Sequence, residues 1–164
     1  MTDTFGFLVF AFVVILAFEA VNGWTDAPNA VATVVSTRVL TPAAAIIMAA
    51  VFNLLGALSG QQVATTIGKD IVNIEVITLE TVVAGALAVV FWSTFAAYLS
   101  LPTSQSHGIV AGIAGAAIQM AGWDVIIWDG WRKVFTGVGA AVLGGFVGGF
   151  ILMVLVLWLF VRAN

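Results

Sequence analysis

Apolar positions in this chain run in long unbroken blocks rather than alternating, and each block is closed by a short polar or proline-bearing stretch. A membrane-spanning helix needs about 20 apolar residues, so the blocks predict the elements directly. Residues 5–22 form the first candidate and run into a polar interruption at 23–28, after which 27–37 resumes as a half-helix ending at Arg38. Thr41-Pro42 opens a second span that reaches about Gly60, proline being well placed in a first helical turn. Residues 61–73 read as a polar connector holding Lys69 and Asp70. Residues 74–99 form a third span with Glu75 and Glu80 in its first turns, where carboxylates suit the helix dipole. Leu101-Pro102 is a tight break, and 104–120 is a fourth, small-residue-rich helix. Residues 121–133 carry Trp123, Trp128, Trp131, Asp124, Asp129, Arg132 and Lys133, the composition of an interfacial loop, before a long fifth span at 134–161. Were 104–120 re-entrant instead, the count would be four and the two termini would share a face.

Composition turns these blocks into a class. Of 164 residues 62% are hydrophobic, with five basic and eight acidic side chains, and the mean hydropathy is +1.17. A soluble domain of this size exposes far more charge, and a membrane β-barrel would alternate apolar with polar. Continuous apolar blocks are the helical way to satisfy every backbone group inside lipid. The expectation is an all-α polytopic membrane protein: one transmembrane domain over 1–164, about five transmembrane segments, and a broken first helix. The acidic start, Met1 to Thr4, does not read as a cleaved signal peptide. A net charge of −3 gives no support for nucleic-acid binding, and without cysteine there are no disulfides or thiolate metal sites. Lys69, Arg132 and Lys133 fall on one face and Arg38 and Arg162 on the other, too even a split to assign an orientation. Gly108/Gly112, Gly144/Gly148 and Gly145/Gly149 are small-residue pairs that let helices approach closely; the pairs in the fifth span read as a helix contact.

Two polar insertions carry the candidate chemistry. In Asn22-Gly23-Trp24-Thr25-Asp26-Ala27-Pro28-Asn29, Pro28 cannot donate a backbone hydrogen bond and Gly23 unwinds readily, so a break is expected. Freed carbonyls with Asn22, Asp26 and Asn29 would offer a small cation hard oxygen; Glu19 and Asn22 share a face before the break, Asp26 and Asn29 after it. The plainer alternative is a Pro-kinked helix entering a surface loop, with Asp26 a solvated N-cap. The second insertion is Leu101 to Gly108, whose Thr103, Ser104, Gln105, Ser106 and His107 are consecutive polar residues at a helix start. Hydroxyls and free N–H groups there suit an oxyanion such as phosphate or sulfate, the alternative being an ordinary capped loop. His107, the sole histidine, either carries a proton or hydrogen-bonds a carbonyl. Secondary transporters build midplane sites from such interrupted helices.

Residues 19–38, "EAVNGWTDAPNAVATVVSTR", followed by "AAVFNLLGAL", resemble the first signature of the PiT inorganic phosphate transporters, a G-x-x-D-x-x-N-A pattern. "LPTSQSH", in the segment 101–108, resembles that family's second signature, P-x-S-x-S-H. Departures are Pro28 where alanine is common and Gln105 where serine or threonine is common. The resemblance implies phosphate import by cation-coupled symport and alternating access, with Na+ or H+ as coupling ion, and a multi-pass place in the cell (inner or plasma) membrane. It implies Asp26 and Asn29 as contacts for phosphate and coupling ion, with Asn22 and Glu19 nearby, and Thr103, Ser104, Gln105 and Ser106 as the phosphate cradle, His107 beside it. No cofactor is implied, nor any metal beyond a Na+ site. Family transporters carry two inverted halves, each with these motifs, whereas this chain holds one copy of each. It corresponds to one half of an inverted-repeat transporter, leaving three arrangements open: an antiparallel homodimer, pairing with a separate second half, or part of a longer protein. The competing functions are a non-transporting membrane assembly or regulatory subunit and a sulfate-type oxyanion permease. An enzyme is not expected, because no nucleophile–base pair or His/Glu metal cluster stands in the sequence.

Overall fold

The computed structural model describes residues 2–59 and 70–161. The described residues form five long helices: α1 (Thr2–Ser36), α2 (Pro42–Ser59), α3 (Leu79–Tyr98), α4 (Gln105–Ala121) and α5 (Trp128–Phe160). Four of them, α1, α2, α3 and α5, are long and apolar enough to cross a membrane by length and composition. At 17 residues α4 rises only about 25 Å, short of a hydrocarbon core of about 30 Å. The protein is an all-α polytopic membrane protein, and two compact units divide it, Met1–Ile126 and Ile127–Asn164.

The first helix is not broken. α1 runs through Asn22, Gly23 and Pro28 as one 35-residue helix, which corrects the expectation of two half-segments. Energetics explain it. Pro28 removes one backbone bond, to the Trp24 carbonyl, at about 3 kcal/mol, and Gly23 costs about 1 kcal/mol. Unwinding several residues would strand a set of N–H and C=O groups at several kcal/mol each where lipid offers no partner. The plainer alternative of a surface loop with Asp26 as a solvated N-cap does not hold either, since helix continues through Asp26 to Ser36.

Boundaries elsewhere shift for local reasons. The third span begins at Leu79 rather than at 74, because Thr78 and Thr81 form a reciprocal capping box and Ile74–Val76 is a single 3-10 turn. Glu75 lies in that turn, its N–H donating to Asn73 Oδ1 at 3.1 Å, and only Glu80 lies in the first turn of α3. The fifth helix starts at Trp128, six residues before the expected 134, so the tryptophan-rich connector shrinks to a short link containing the 3-10 turn Trp123–Val125. Gly122, at φ 83°, ends α4. The connector expected at 61–73 falls mostly outside the described residues, as does Arg162.

In the first unit α3 lies between α1 and α4 and packs on both, while α2 packs on α1. The α1–α3 contact is a small apolar core of Ala11, Val14, Val83 and Ala86, lined by Phe7, Phe18, Leu79 and Ile109. The α3–α4 contact is a backbone crossing, in which a Cβ on Gly112 would stand 2.8 Å from the Gly85 carbonyl oxygen and one on Gly85 would stand 3.0 Å from the Ile113 nitrogen. Gly108 lies one turn further along, against Val89. The close approach is thus made by Gly112 with Gly85 and, one turn on, by Gly108 with Val89. The far ends of the α3–α4 pair are tied by an antiparallel bridge, Val72 with Ile126, and by Asn73 N–H donating to the Val125 carbonyl at 2.9 Å. The second unit is α5 itself, opened by an exposed Asp129–Arg132 pair at 3.3 Å.

Candidate functional site

The two polar insertions meet. Ser100 takes a left-handed conformation (φ 58°) after α3, and the Leu101 N–H closes on the Ala96 carbonyl at 2.8 Å, a Schellman turn in a serine's hands. That turn swings Pro102 and Thr103 toward α1. Ser104 then caps α4, its hydroxyl accepting from the His107 N–H at 3.4 Å. One residue on, Gln105 is buried at 4% exposure and its Nε2 donates to Thr25 Oγ1 of α1 at 3.0 Å. Thr25 in turn donates its hydroxyl proton back to the Val21 carbonyl at 2.9 Å. This bond joins residues 80 positions apart, one from each insertion.

Around it lie two cavities. A volume of about 270 Å³ is walled by Trp24, Thr25, Pro28 and Asn29 of α1 and by Ala97, Ser100, Leu101, Pro102 and Thr103 of the turn. A second, of about 490 Å³, is walled by Thr103, Ser104, His107 and Gly108 with Val89 and Trp92 of α3. Pro102 and Thr103 belong to both walls, so the turn before α4 separates them. A third, of about 640 Å³, runs between α1 and α2 and is almost wholly apolar, bounded by Gly23, Ala27, Val31 and Ile46 among others.

The expected site residues distribute as follows. Asn29 and Thr103 share the smaller cavity, and Thr103, Ser104 and His107 share the larger. Ser106 is exposed and belongs to neither wall. Gln105 points instead into the helix junction. On α1, Glu19 is exposed, Asn22 and Asp26 are half-buried, and Asn29 is exposed. Because the helix is continuous, Glu19, Asn22, Asp26 and Asn29 fall within an arc of about 80° at 100° per residue, one polar stripe rather than two separated pairs. Asp26 lies on this stripe but outside the cavity walls. Among the described residues no three of His, Cys, Asp and Glu gather closely enough to hold a metal ion. Thr25 and Ser93 were not singled out by sequence. Ser93, an isolated serine in an apolar span that is 1% exposed, carries the signal that would have found it, since polar residues in such spans turn inward.

Fold and site together define a helical membrane protein with a polar seam between its first helix and the turn that opens its fourth. Residues 22–164 match the phosphate transporter family, and the chain belongs to that family. It is 42% identical over 153 residues to a probable low-affinity inorganic phosphate transporter of Bacillus subtilis (strain 168), covering 91% of this chain and 45% of that protein. A Rhizobium meliloti (strain 1021) protein of the same description is 37% identical over 165 residues, covering 98% and 48%. One from Streptomyces halstedii is 38% identical over 159 residues, covering 95% and 74%. The chain spans about half the length of the Bacillus and Rhizobium relatives. No solved structure matches it.

Proposed function

We propose that this chain is one half of a secondary active transporter that carries inorganic phosphate across the cell membrane by cation-coupled symport and alternating access. The observation that carries the reading is the Gln105–Thr25 bond, which joins the two polar insertions beside a cavity walled by Asn29 and Thr103. Neutral amides and hydroxyls of this kind bind a tetrahedral oxyanion without a permanent positive charge, which lets it leave again. The printed descriptions of the relatives, low-affinity inorganic phosphate transporters, support phosphate as the oxyanion. Asp26, half-buried on the polar stripe of α1, is the coupling-cation residue, with Asn22, Asn29 and Glu19 as its neighbours and Na+ or H+ as the ion. A complete site requires a second half, supplied by an antiparallel copy, by a separate chain, or by further residues of a longer protein.

The test is uptake of radiolabelled phosphate into liposomes holding only the purified chain, with sodium and pH gradients imposed separately. Uptake above that of empty liposomes supports the reading and names the ion; none from folded protein rules out the antiparallel copy as the second half. Asp26→Asn removes the only full negative charge at the centre of the stripe. The expected result is phosphate uptake that no longer responds to the sodium or proton gradient, and retained dependence on the cation removes Asp26 from the coupling role.

A further inference from the structure

We propose that Ser93, Gln105 and Thr25 form a hydrogen-bonded clasp across α3, α4 and α1, in which Gln105 is a positioning residue of the site rather than a phosphate contact. The argument starts from one proton. Thr25 has a single hydroxyl hydrogen and gives it to the Val21 carbonyl at 2.9 Å, so toward Gln105 it can only accept. That fixes the glutamine amide: Nε2 faces Thr25 at 3.0 Å, and Oε1 faces away from it. A flipped amide would set Oε1 against a second acceptor. Gln105 Oε1 is fully buried and has no hydrogen-bond partner among the described residues. Ser93 Oγ is in the same condition. Buried polar groups left unpaired are rare because each loses its hydration without replacement.

The two orphans are complementary, and helix register brings them to one level. α3 and α4 run antiparallel, with Gly85 against Gly112 and Val89 against Gly108. One more turn along each helix sets Ser93 opposite the first turn of α4, where Gln105 sits. Ser93 holds the donor that Oε1 lacks, and rotation about its single side-chain torsion brings the hydroxyl to bear. The result is a directed series: Ser93 donates to Gln105, Gln105 donates to Thr25, and Thr25 donates to the Val21 carbonyl. All members are neutral and each is engaged with the next, so the series carries no charge and titrates nothing. It fixes α1 against the α3–α4 pair just where Asn29 and Thr103 share a cavity, and neither Ser93 nor Gln105 lines either cavity beside the turn.

Thermal unfolding of the purified chain in detergent tests the clasp without reference to transport. Ser93→Ala lowers the melting temperature by about 2–4 °C if the hydroxyl serves Gln105. In a Gln105→Met background, of similar volume, the same change is neutral or raises it. If Ser93→Ala leaves the wild-type melting temperature unchanged or raises it, Ser93 is a true orphan and the clasp is overturned; this variant is small enough to fold whatever Gln105→Met does. Thr25→Ser retains the wild-type value and Thr25→Val does not. A second arm rests on the transport reading. With phosphate uptake as readout, Gln105→Met lowers the maximal rate at unchanged KM, and Thr25→Val does the same without adding to it. A rise of about tenfold in KM at unchanged maximal rate makes Gln105 a phosphate contact and overturns its positioning role. If the wild-type chain alone takes up no phosphate, the antiparallel-homodimer form of the proposed function fails while the melting series still decides the clasp.

Discussion

Replacing Gly112 by alanine puts one methyl group where α3 and α4 touch through their backbones. The new Cβ would lie 2.8 Å from the Gly85 carbonyl oxygen, 3.1 Å from its Cα and 3.2 Å from its carbonyl carbon. None of these is the end of a flexible side chain, so relief requires the helices to part by about half an ångström, a gap that forfeits a quarter or more of each affected contact. Overpacking of this kind costs about 1–3 kcal/mol. Against it stands the better helix propensity of alanine, up to about 1 kcal/mol. With that gain in full, the net expectation for Gly112→Ala is a loss of about 0–2 kcal/mol. Gly115 lies on the same helix with nothing within 4 Å of its added Cβ, so Gly115→Ala keeps only the propensity gain. The propensity gain is common to both, so the two variants should differ by the overpacking cost of about 1–3 kcal/mol, or about 2–12 °C in melting temperature for a chain of this size. Helical circular dichroism of each purified variant in detergent, followed through unfolding, gives the comparison directly. Gly112→Ala melting at or above Gly115→Ala would refute the backbone crossing. Gly85→Ala, whose Cβ meets the Ile113 nitrogen at 3.0 Å, should repeat the loss, and the double variant should lose less than the sum, since one crossing can be opened only once.

Two further substitutions probe a helix end and the proline inside α1. Pro28→Ala restores an N–H facing the Trp24 carbonyl in mid-helix, so the melting temperature should rise, by up to about 3 kcal/mol of stability; a fall would mean that α1 does not run straight through this position. Thr78→Ala removes the acceptor for the Thr81 N–H and half of the capping box of α3, a loss of about 1 kcal/mol that Thr78→Ser should largely recover; equal melting of Thr78→Ala and wild type would leave the cap without energetic weight.

Two boundaries are legible from a local signal that stands at the edge of its apolar block. Pro42 opens α2, and Ser104 caps an α4 that begins within one residue of expectation, because a cap is decided by neighbours in the chain. The start of α5 was missed by six residues for the opposite reason: Asp129, Arg132 and Lys133 read as a loop by their polarity, yet an i, i+3 acid–base pair is at home in a first helical turn. The capping box that delays α3 was likewise present in sequence, hidden inside an apolar run that looked continuous from 74. Gln105 was legible as polar and interior to a motif, but whether it turns toward a cavity or toward a neighbouring helix depends on where α1 lies, and no periodicity in α4 alone holds that information.

The misreading of α1 shows which physical quantity decides such cases. Gly23 and Pro28 are weak points when each is priced in water, where an opened turn is rehydrated. In a 35-residue apolar helix the alternative to a closed turn is a set of dry carbonyls and amides, so one lost bond is the smaller penalty. With the helix closed, the polar residues that suggested a break fall into the spacing 19, 22, 26, 29, which is the i, i+3, i+7 repeat of a single helical face. A break would have rotated Glu19 and Asn22 out of line with Asp26 and Asn29. The continuous helix instead presents one carboxylate and amide stripe beside its own Thr25, which Gln105 links to the start of α4. The grouping of these residues therefore needs no unwound segment, only a proline placed where the lost bond points at Trp24.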